Sequence, residues 1–249
     1  MMNPFDKKTA VSLLPNMISM FNLFCGFLSL VMSAEGHTAT AVWLIILALV
    51  WDSIDGNIAR MFKVSTALGR ELDSLSDIVS FVVAPAFLTG SVLLPKTGPW
   101  ILLILFFYLG CGTYRLARFN ARPTKSPHFQ GLPSPACASL QVLFILNAVK
   151  MGWPEQIFFN PIAIFVMVGL SLMMVSNVVY PKLSSIPLAQ WRGMLIMAVV
   201  MLAGGMLVGA AEAGLFGALL LFLLSPLLLR HILHAHEDEE SHVPKASLR

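Results

Sequence analysis

The sequence predicts an all-α fold, a polytopic integral membrane bundle of about eight transmembrane helices. Composition is the first observation behind this prediction, because 57% of the residues are hydrophobic and only 12% are charged. A soluble domain has about 25% charged residues. The second observation is that the apolar residues are collected into runs long enough to cross a bilayer as helices, which takes about 20 residues.

The predicted spans follow a short polar start at residues 1–14. They lie near residues 17–34, 38–60, 72–93, 100–120, 133–151, 157–179, 192–210 and 213–234. The fifth has the weakest apolar signal. The last two are separated by very little sequence, so we expect them to form a tight helical hairpin.

Lysine and arginine residues predict the orientation, since they concentrate in cytoplasmic loops. With the N-terminus in the cytoplasm, the loops on that side hold Lys7, Lys8, Arg60, Lys63, Arg70, Arg115, Arg118, Arg122, Lys125, Lys182, Arg192, Arg230, Lys245 and Arg249. Only Lys96 and Lys150 fall on the other side. We therefore expect both termini in the cytoplasm. No basic tract is interleaved with aromatic residues, so no nucleic-acid partner is expected.

Four aspartates interrupt the apolar sequence where the second span ends and the third begins: Asp52, Asp55, Asp73 and Asp77. An ionised carboxylate inside a membrane costs roughly 2.5–3.5 kcal/mol on the insertion scale, so the cluster needs compensation. The first two are three residues apart and the last two are four apart, so each pair shares a helix face. Two helices can thus present carboxylate pairs to one cavity.

Carboxylate oxygens suit hard divalent cations, so this cluster predicts Mg²⁺ or Mn²⁺, and four carboxylates are enough for two ions. Gly56 and Ala59 share the face of the first pair, and Gly69 lies one turn before Asp73. These small residues leave room beside the carboxylates for a bulky ligand. Because a two-metal site stabilises phosphoryl displacement, the cluster indicates phosphoryl-transfer chemistry.

The whole stretch from Asp52 to Asp77 reads D-x-x-D-G-x-x-A-R-x8-G-x3-D-x3-D, which resembles the signature of the CDP-alcohol phosphatidyltransferases. The resemblance implies that the four aspartates hold the metal ions and that Asp77 also accepts the proton of the attacking alcohol. It implies contacts to the nucleotide donor from Gly56, Ala59, Arg60 and Gly69. Arg60 suits phosphate because a guanidinium forms paired hydrogen bonds to phosphate oxygens.

Two further stretches carry predicted donor contacts. The first span opens Pro15-Asn16-Met-Ile-Ser19, which resembles the family's P-N-x-x-T start with serine in place of threonine, and we expect Asn16 and Ser19 to line the nucleotide pocket. The alternative is a purely structural role for this stretch, as a helix start with proline in its first turn. Thr66, three residues before Gly69, occupies a position where the family often has a hydroxyl that contacts the nucleotide phosphates.

Four stretches resemble the phosphatidylserine synthase branch of the family. They are the third span from Asp73 to Ala86, Arg115 to Asn120 (R-L-A-R-F-N), Phe129 to Ala136 (F-x-G-L-P-S-P-A), and Val175 to Lys182. Val82 departs from the branch's usual glycine in the first of them. The resemblance covers roughly residues 12–185. We expect residues 1–185 to form the catalytic membrane domain, with two additional helices and a polar tail in residues 186–249.

The acceptor implied by this branch is L-serine, which needs a cation for its carboxylate. The candidates on the cytoplasmic side are Arg115, Arg118 and Lys182, with Asn120 as a group that orients the ligand. Each is also explained as a basic anchor or polar residue at the level of the lipid headgroups.

The implied reaction is CDP-diacylglycerol plus L-serine giving phosphatidylserine plus CMP, by direct displacement in phospholipid biosynthesis. The resemblance also implies a homodimer in the cell (inner, cytoplasmic) membrane, in contact with membrane lipid, with the active site on the cytoplasmic side. One alternative is a sibling enzyme with glycerol 3-phosphate or an inositol phosphate as acceptor, or with an ether-linked donor. Another is a cation-coupled transporter, which predicts a repeated acidic cluster, whereas the sequence holds a single one.

Overall fold

The structure is a computed structural model that describes residues 4–62, 66–121 and 128–181 with Gly217, and the side chains of residues 16–54, 66–121 and 131–178. The longer elements are the helices α1 (Pro4–Ala34), α2 (Thr38–Phe62), α3 (Ala67–Ile78), α4 (Ala84–Thr97), α5 (Ile101–Asn120), α6 (Ser134–Lys150) and α7 (Phe159–Val175). A π-helical turn, Val79–Val83, joins α3 to α4, and a 3₁₀ turn, Trp153–Glu155, precedes α7.

The observed helices correspond in order to the first six predicted spans, with α3 and α4 together forming the third. Of the residues that the structure describes, three stretches are long and apolar enough to cross a membrane, namely Asn16–Ala34, Ala67–Thr97 and Ile101–Asn120. Shorter apolar helices are Thr38–Ile54, Ser134–Lys150 and Phe159–Val175. The predicted all-α class is therefore confirmed for the described residues, whereas the predicted seventh and eighth spans, apart from Gly217, lie outside them.

The first helix begins earlier than the sequence predicts. The segment at residues 1–14 is predicted as a polar start, yet α1 runs from Pro4. Pro4 takes the first helical position, where its fixed φ and missing N–H cost nothing. Pro15 therefore lies inside α1, and the interpretation of this proline as a helix start is wrong.

The helix with the weakest apolar signal is the most enclosed one. Twelve of the seventeen residues of α6 are buried, among them Ser139 and Gln141. A helix surrounded by other helices has no lipid-facing stripe, so it accepts polar residues that find partners inside the bundle. Gln141 does so by donating a hydrogen bond of 3.0 Å from Nε2 to Thr89 Oγ1 on α4.

Val82, the departure from the branch's usual glycine, is fully buried in the π-helical turn and lies against α5. A Cβ added to Gly112 of α5 would lie only 2.6 Å from Val82 Cγ1. Gly112 thus provides the space that the larger side chain at position 82 requires.

The chain divides into two compact units, residues 1–125 with 131–176, and residues 126–130 with 177–249. The first unit contains the helices α1 to α7. In the described part of the second unit, two three-residue strands, β1 (His128–Gln130) and β2 (Val179–Pro181), pair antiparallel with Phe129 opposite Tyr180.

Candidate active site

Three of the four predicted metal ligands lie together. Asp52, from α2, and Asp73 and Asp77, from successive turns of α3, each place a carboxylate oxygen so that all three atoms lie within 4.8 Å of one another. All three side chains are half-buried. Asp55 also lies in α2, one turn after Asp52, and its side chain is outside the described set.

The arrangement fits a divalent cation of the hard type. Mg²⁺ binds oxygen at about 2.0–2.1 Å, so ligand atoms on opposite sides of one ion are about 4 Å apart. Three carboxylate oxygens within 4.8 Å are thus close enough to share an ion after small side-chain movements. The donor set is all oxygen, as Mg²⁺ and Mn²⁺ prefer.

Asp77 interacts with polar and charged side chains from other helices. Asn22 of α1 donates a hydrogen bond of 3.2 Å from Nδ2 to Asp77 Oδ1. Asp52 and Asp73 repel its negative charge, and the guanidinium of Arg115 on α5 attracts it. A partly compensated cluster of this kind has a strong attraction for an additional cation.

Three predicted donor contacts meet at the N-terminus of α3. Thr66 caps the helix by accepting a hydrogen bond of 3.0 Å from the backbone N–H of Gly69. A Cβ on Gly69 would lie 2.8 Å from Asn16 Oδ1 and 3.1 Å from Thr66 Oγ1. The absence of a side chain at position 69 therefore allows α1 and its Asn16 to approach this helix end.

For the remaining predicted donor contacts, the structure gives the helix position, and it describes the side chain of Ser19 alone. Ser19 is buried on α1, one turn after Asn16. Gly56, Ala59 and Arg60 lie in the last turns of α2, after Asp52, with side chains outside the described set.

Arg115, a predicted serine ligand, is a buried cation beside the carboxylates. Its side chain is 7% exposed, and Nη1 donates a hydrogen bond of 2.7 Å to Ser134 Oγ at the start of α6. Its charge is attracted to Asp77 and to Asp52. It also lies 5.7 Å from the ring centroid of Phe119.

Arg118, one turn later on α5, has different partners. Its guanidinium donates to the backbone carbonyls of Val175 at 2.9 Å, Ser176 at 3.3 Å and Met174 at 3.4 Å, where α7 ends. These hydrogen bonds satisfy carbonyls that a helix C-terminus leaves without an intrahelical partner. Lys182, another predicted serine ligand, lies outside the described residues.

The contact between Arg118 and the end of α7 also explains the glycine of the F-x-G-L-P-S-P-A stretch. Gly131 has φ +79°, and an added Cβ would lie 2.2 Å from the Met174 carbonyl oxygen and 2.9 Å from Arg118 Nη2. Three of the four branch-like stretches thus converge within the first unit: one contributes Arg115 and Arg118, one Gly131 and Ser134, and one Ser176.

Asn120 connects this group to the carboxylates. Its Nδ2 donates a hydrogen bond of 2.8 Å to Ser74 Oγ, and Ser74 follows Asp73 directly on α3. The side chain is exposed, so it remains accessible to a ligand.

The sequence interpretation gave no role to Asn22, Ser74 or Ser134, each of which contacts a predicted site residue in the structure. Asn22 could have been found from spacing, because it lies three residues after Ser19 and continues the helix face of Asn16. The other two contact residues far away in the sequence, so local spacing carries no signal for them.

Comparisons with known proteins show the family of the chain. A family model described as CDP-alcohol phosphatidyltransferase matches residues 12–175. The chain is 36% identical over 191 residues to the archaetidylserine synthase of Methanothermobacter thermautotrophicus, covering 73% of this chain and 75% of that protein. It is 31% identical over 207 residues to the CDP-diacylglycerol–serine O-phosphatidyltransferase of Helicobacter pylori, covering 81% and 84%. The Bacillus subtilis enzyme of the same name is 35% identical over 170 residues, covering 68% and 89%.

The family match includes both aspartate pairs, the first-helix contacts, and the arginines of α5. Its range also agrees with the predicted resemblance over most of residues 12–185. The chain belongs to the CDP-alcohol phosphatidyltransferase family.

Proposed function

We propose that this protein transfers the phosphatidyl group of CDP-diacylglycerol to L-serine, giving phosphatidylserine and CMP. The observation that carries the proposal is the carboxylate cluster of α2 and α3 with a buried arginine, Arg115, beside it. The names of several relatives, which specify serine as the acceptor, support the choice of alcohol.

The aspartates are proposed to act in two ways. Divalent cations, Mg²⁺ or Mn²⁺ and two in number, would be held by Asp52, Asp55, Asp73 and Asp77 and would neutralise charge on the pyrophosphate and on the departing CMP. Asp77 accepts the proton of the serine hydroxyl, a general-base contribution of about 10²–10⁴-fold. The serine oxygen then bonds to the β-phosphorus, and the phosphorus–oxygen bond to CMP breaks with its electron pair leaving on CMP.

The other residues bind the two substrates. Asn16, Ser19, Gly56, Ala59, Arg60, Thr66 and Gly69 are proposed to contact CDP-diacylglycerol. The capped N-terminus of α3 supports this, because helix N-termini favour anionic phosphate. Arg115 is the favoured partner of the serine carboxylate, since its guanidinium lies beside the carboxylate cluster. Arg118 is less suited, because its hydrogen bonds go to the end of α7. Asn120 and Lys182 remain further candidates.

The hydrocarbon chains of the donor need an apolar path beside the cluster. An open groove of about 510 Å³ follows one face of α1 and is lined by Asn16, Met17, Met20, Phe21, Phe24 and Leu72. Leu72 directly precedes Asp73, and Asn16 is a proposed nucleotide contact. We propose that one chain of the donor lies in this groove while its pyrophosphate is at the carboxylates.

The setting of the reaction is also proposed. With eight spans and both termini in the cytoplasm, the carboxylates lie on the cytoplasmic side of the cell (inner) membrane. Serine can then reach the site from the cytoplasm, and CMP can leave into it. We propose a catalytic domain of residues 1–185, a C-terminal addition of residues 186–249, and a homodimer.

The test uses purified protein in detergent with CDP-diacylglycerol, labelled serine and Mn²⁺ or Mg²⁺. Asp77→Asn is expected to abolish labelled phosphatidylserine, because an amide cannot accept the hydroxyl proton. Glu71→Gln is the matched control, since it makes the same chemical change at an exposed position of α3 and should leave turnover unchanged. Full serine turnover in Asp77→Asn contradicts the mechanism, as does trapping of a labelled phosphatidyl-enzyme.

Other alcohols and donors are outcomes of the same assay. Release of CMP with glycerol 3-phosphate or an inositol phosphate, but not with serine, keeps the family and changes the acceptor. The relative named archaetidylserine synthase makes an archaetidyl donor a second candidate, so CDP-archaeol is compared with CDP-diacylglycerol. Folded protein that releases no CMP with any alcohol contradicts the proposed enzyme and revives the transporter alternative.

A further inference from the structure

One face of α1 runs along α3 and the π-helical turn. Asn16, Ser19, Asn22 and Gly26 are spaced by three, three and four residues and therefore share this face. Asn16 lies against Gly69, Asn22 against Asp77, and Gly26 against Ser80. Through its hydrogen bond to Asp77, Asn22 contacts the carboxylate cluster from this face.

The side chain of Asn22 is fully buried, and only one of its two polar atoms has a hydrogen-bond partner among the described residues. Its Nδ2 donates to Asp77 Oδ1 at 3.2 Å, whereas its own Oδ1 has no hydrogen-bond partner among the described residues. Leaving a buried amide oxygen unpaired is unfavourable, and an apolar side chain of the same size would avoid this cost. Packing alone therefore does not explain an asparagine here.

The backbone of Asn22 is held as well. Ser80 Oγ donates a hydrogen bond of 2.9 Å to the Asn22 carbonyl oxygen. Ser80 lies in the π-helical turn Val79–Val83, which begins two residues after Asp77, and such turns often occur at functional sites. A Cβ on Gly26 would lie 2.9 Å from Ser80 Cα, so glycine at this position permits the close approach of the two helices.

We propose that Asn22 is a positioning residue for Asp77, holding Oδ1 so that the other carboxylate oxygen faces Asp52 and Asp73. This contact orients the carboxylate in the cluster by acting from a different helix. Groups that orient a metal ligand typically change metal affinity or activity by about 10–100-fold when they are removed. The inference rests on the proposed function for its activity readout, but not for its binding readout.

The test compares Asn22→Leu with wild type and with Gln141→Leu. Gln141 is a matched control because it is also a fully buried amide whose nitrogen is hydrogen-bonded and whose oxygen has no partner in the described part of the chain. Its partner Thr89 lies twelve residues after Asp77 along the continuous helix, about 18 Å away at 1.5 Å per residue. Mn²⁺ affinity is measured by electron paramagnetic resonance of the bound and free ion, thermal stability by unfolding in detergent, and kcat and KM with labelled serine.

For Asn22→Leu we expect Mn²⁺ affinity to fall about 10–100-fold and, at saturating Mn²⁺, kcat to fall about tenfold or more with little change in KM for CDP-diacylglycerol. The midpoint of unfolding should change little, because removal of the unpaired buried oxygen offsets loss of the hydrogen bond to Asp77. Gln141→Leu should keep wild-type Mn²⁺ affinity. If Asn22→Leu does not fold, Asn22→Ala, which adds no bulk, replaces it.

A folded Asn22 variant with wild-type Mn²⁺ affinity overturns the inference, whatever its activity. Equal losses of Mn²⁺ affinity in the Asn22 and Gln141 variants also overturn it, because the effect would then be general to the bundle. If the wild-type protein makes no phosphatidylserine, the proposed function fails, and the Mn²⁺ comparison still tests the role of Asn22.

Discussion

Two arginines one turn apart on α5 have the same sequence context and different surroundings. Arg115 is buried beside the carboxylates and donates to Ser134 Oγ, while Arg118 donates to three carbonyls at the end of α7. Both belong to the R-L-A-R-F-N stretch, and both are equally good candidates for binding serine when only the sequence is considered. The difference shows that two arginines of one motif can have different partners, one next to the carboxylates and one at a helix end.

The physical basis of the difference is which helix each arginine meets. At Arg115 the neighbouring charges are Asp77 and Asp52, so the guanidinium compensates the cluster. At Arg118 the neighbours are carbonyls left open by the end of α7, and Gly131 leaves room for the guanidinium to reach them. The predictions below separate the two roles.

Arg115→Met is expected to lower kcat/KM for serine by about 30-fold or more, since truncating one partner of a buried charge interaction removes both its charge and its hydrogen bonds. Steady-state turnover of labelled serine measures the loss. Arg115→Lys keeps the charge but loses the planar guanidinium and its paired hydrogen bonds. Its kcat/KM for serine should therefore lie between those of Arg115→Met and wild type. A kcat/KM within about threefold of wild type in Arg115→Met would exclude Arg115 as the serine ligand.

Gly131→Ala is expected to destabilise the protein by about 3 kcal/mol, combining a left-handed backbone with overlap on the Met174 carbonyl. Unfolding in detergent measures the change. Gly36→Ala is the matched control, because Gly36 has φ +81° with no atom within 4 Å of its added Cβ. It should cost only the backbone part, about 1–2 kcal/mol. Equal losses in the two variants would contradict the close contact at Gly131.

Arg118→Met is expected to lower the free energy of unfolding by about 2 kcal/mol through its lost charge-assisted hydrogen bonds. Its serine turnover per folded molecule should stay within about threefold of wild type. The same unfolding and turnover assays apply. Unchanged stability combined with a large rise in KM for serine would reverse the assignment and make Arg118 the ligand.

Asn120→Ala is expected to raise KM for serine by about threefold, because one neutral hydrogen bond between α5 and α3 is lost. Ser74→Ala removes the acceptor of the same hydrogen bond and is the natural companion. If Asn120 also contacts serine, its variant should have the larger effect of the two. Equal and small effects would restrict Asn120 to a structural role.

The cluster illustrates how far local spacing extends. The spacing of Asp73 and Asp77 predicts a shared face because four residues make about one helical turn, and both lie in α3. The need to compensate buried charge predicts that Asp52 joins them from α2, and the three carboxylate oxygens lie within 4.8 Å of one another. By contrast, the polarity of residues 1–14 predicts a start outside the first helix, whereas α1 begins at Pro4, because polarity indicates exposure to water and not the absence of a helix.

Hydropathy and helical period are local properties of the chain, so the sequence alone predicts the membrane character, the order of the helices and which aspartates lie together. The contact of Asn22 with Asp77, the different partners of Arg115 and Arg118, and the packing of Gly112 against Val82 are visible only in the folded protein. Each of these contacts joins residues that are far apart in the chain. Its existence depends on which helix faces are brought together by packing, and no local pattern records that choice.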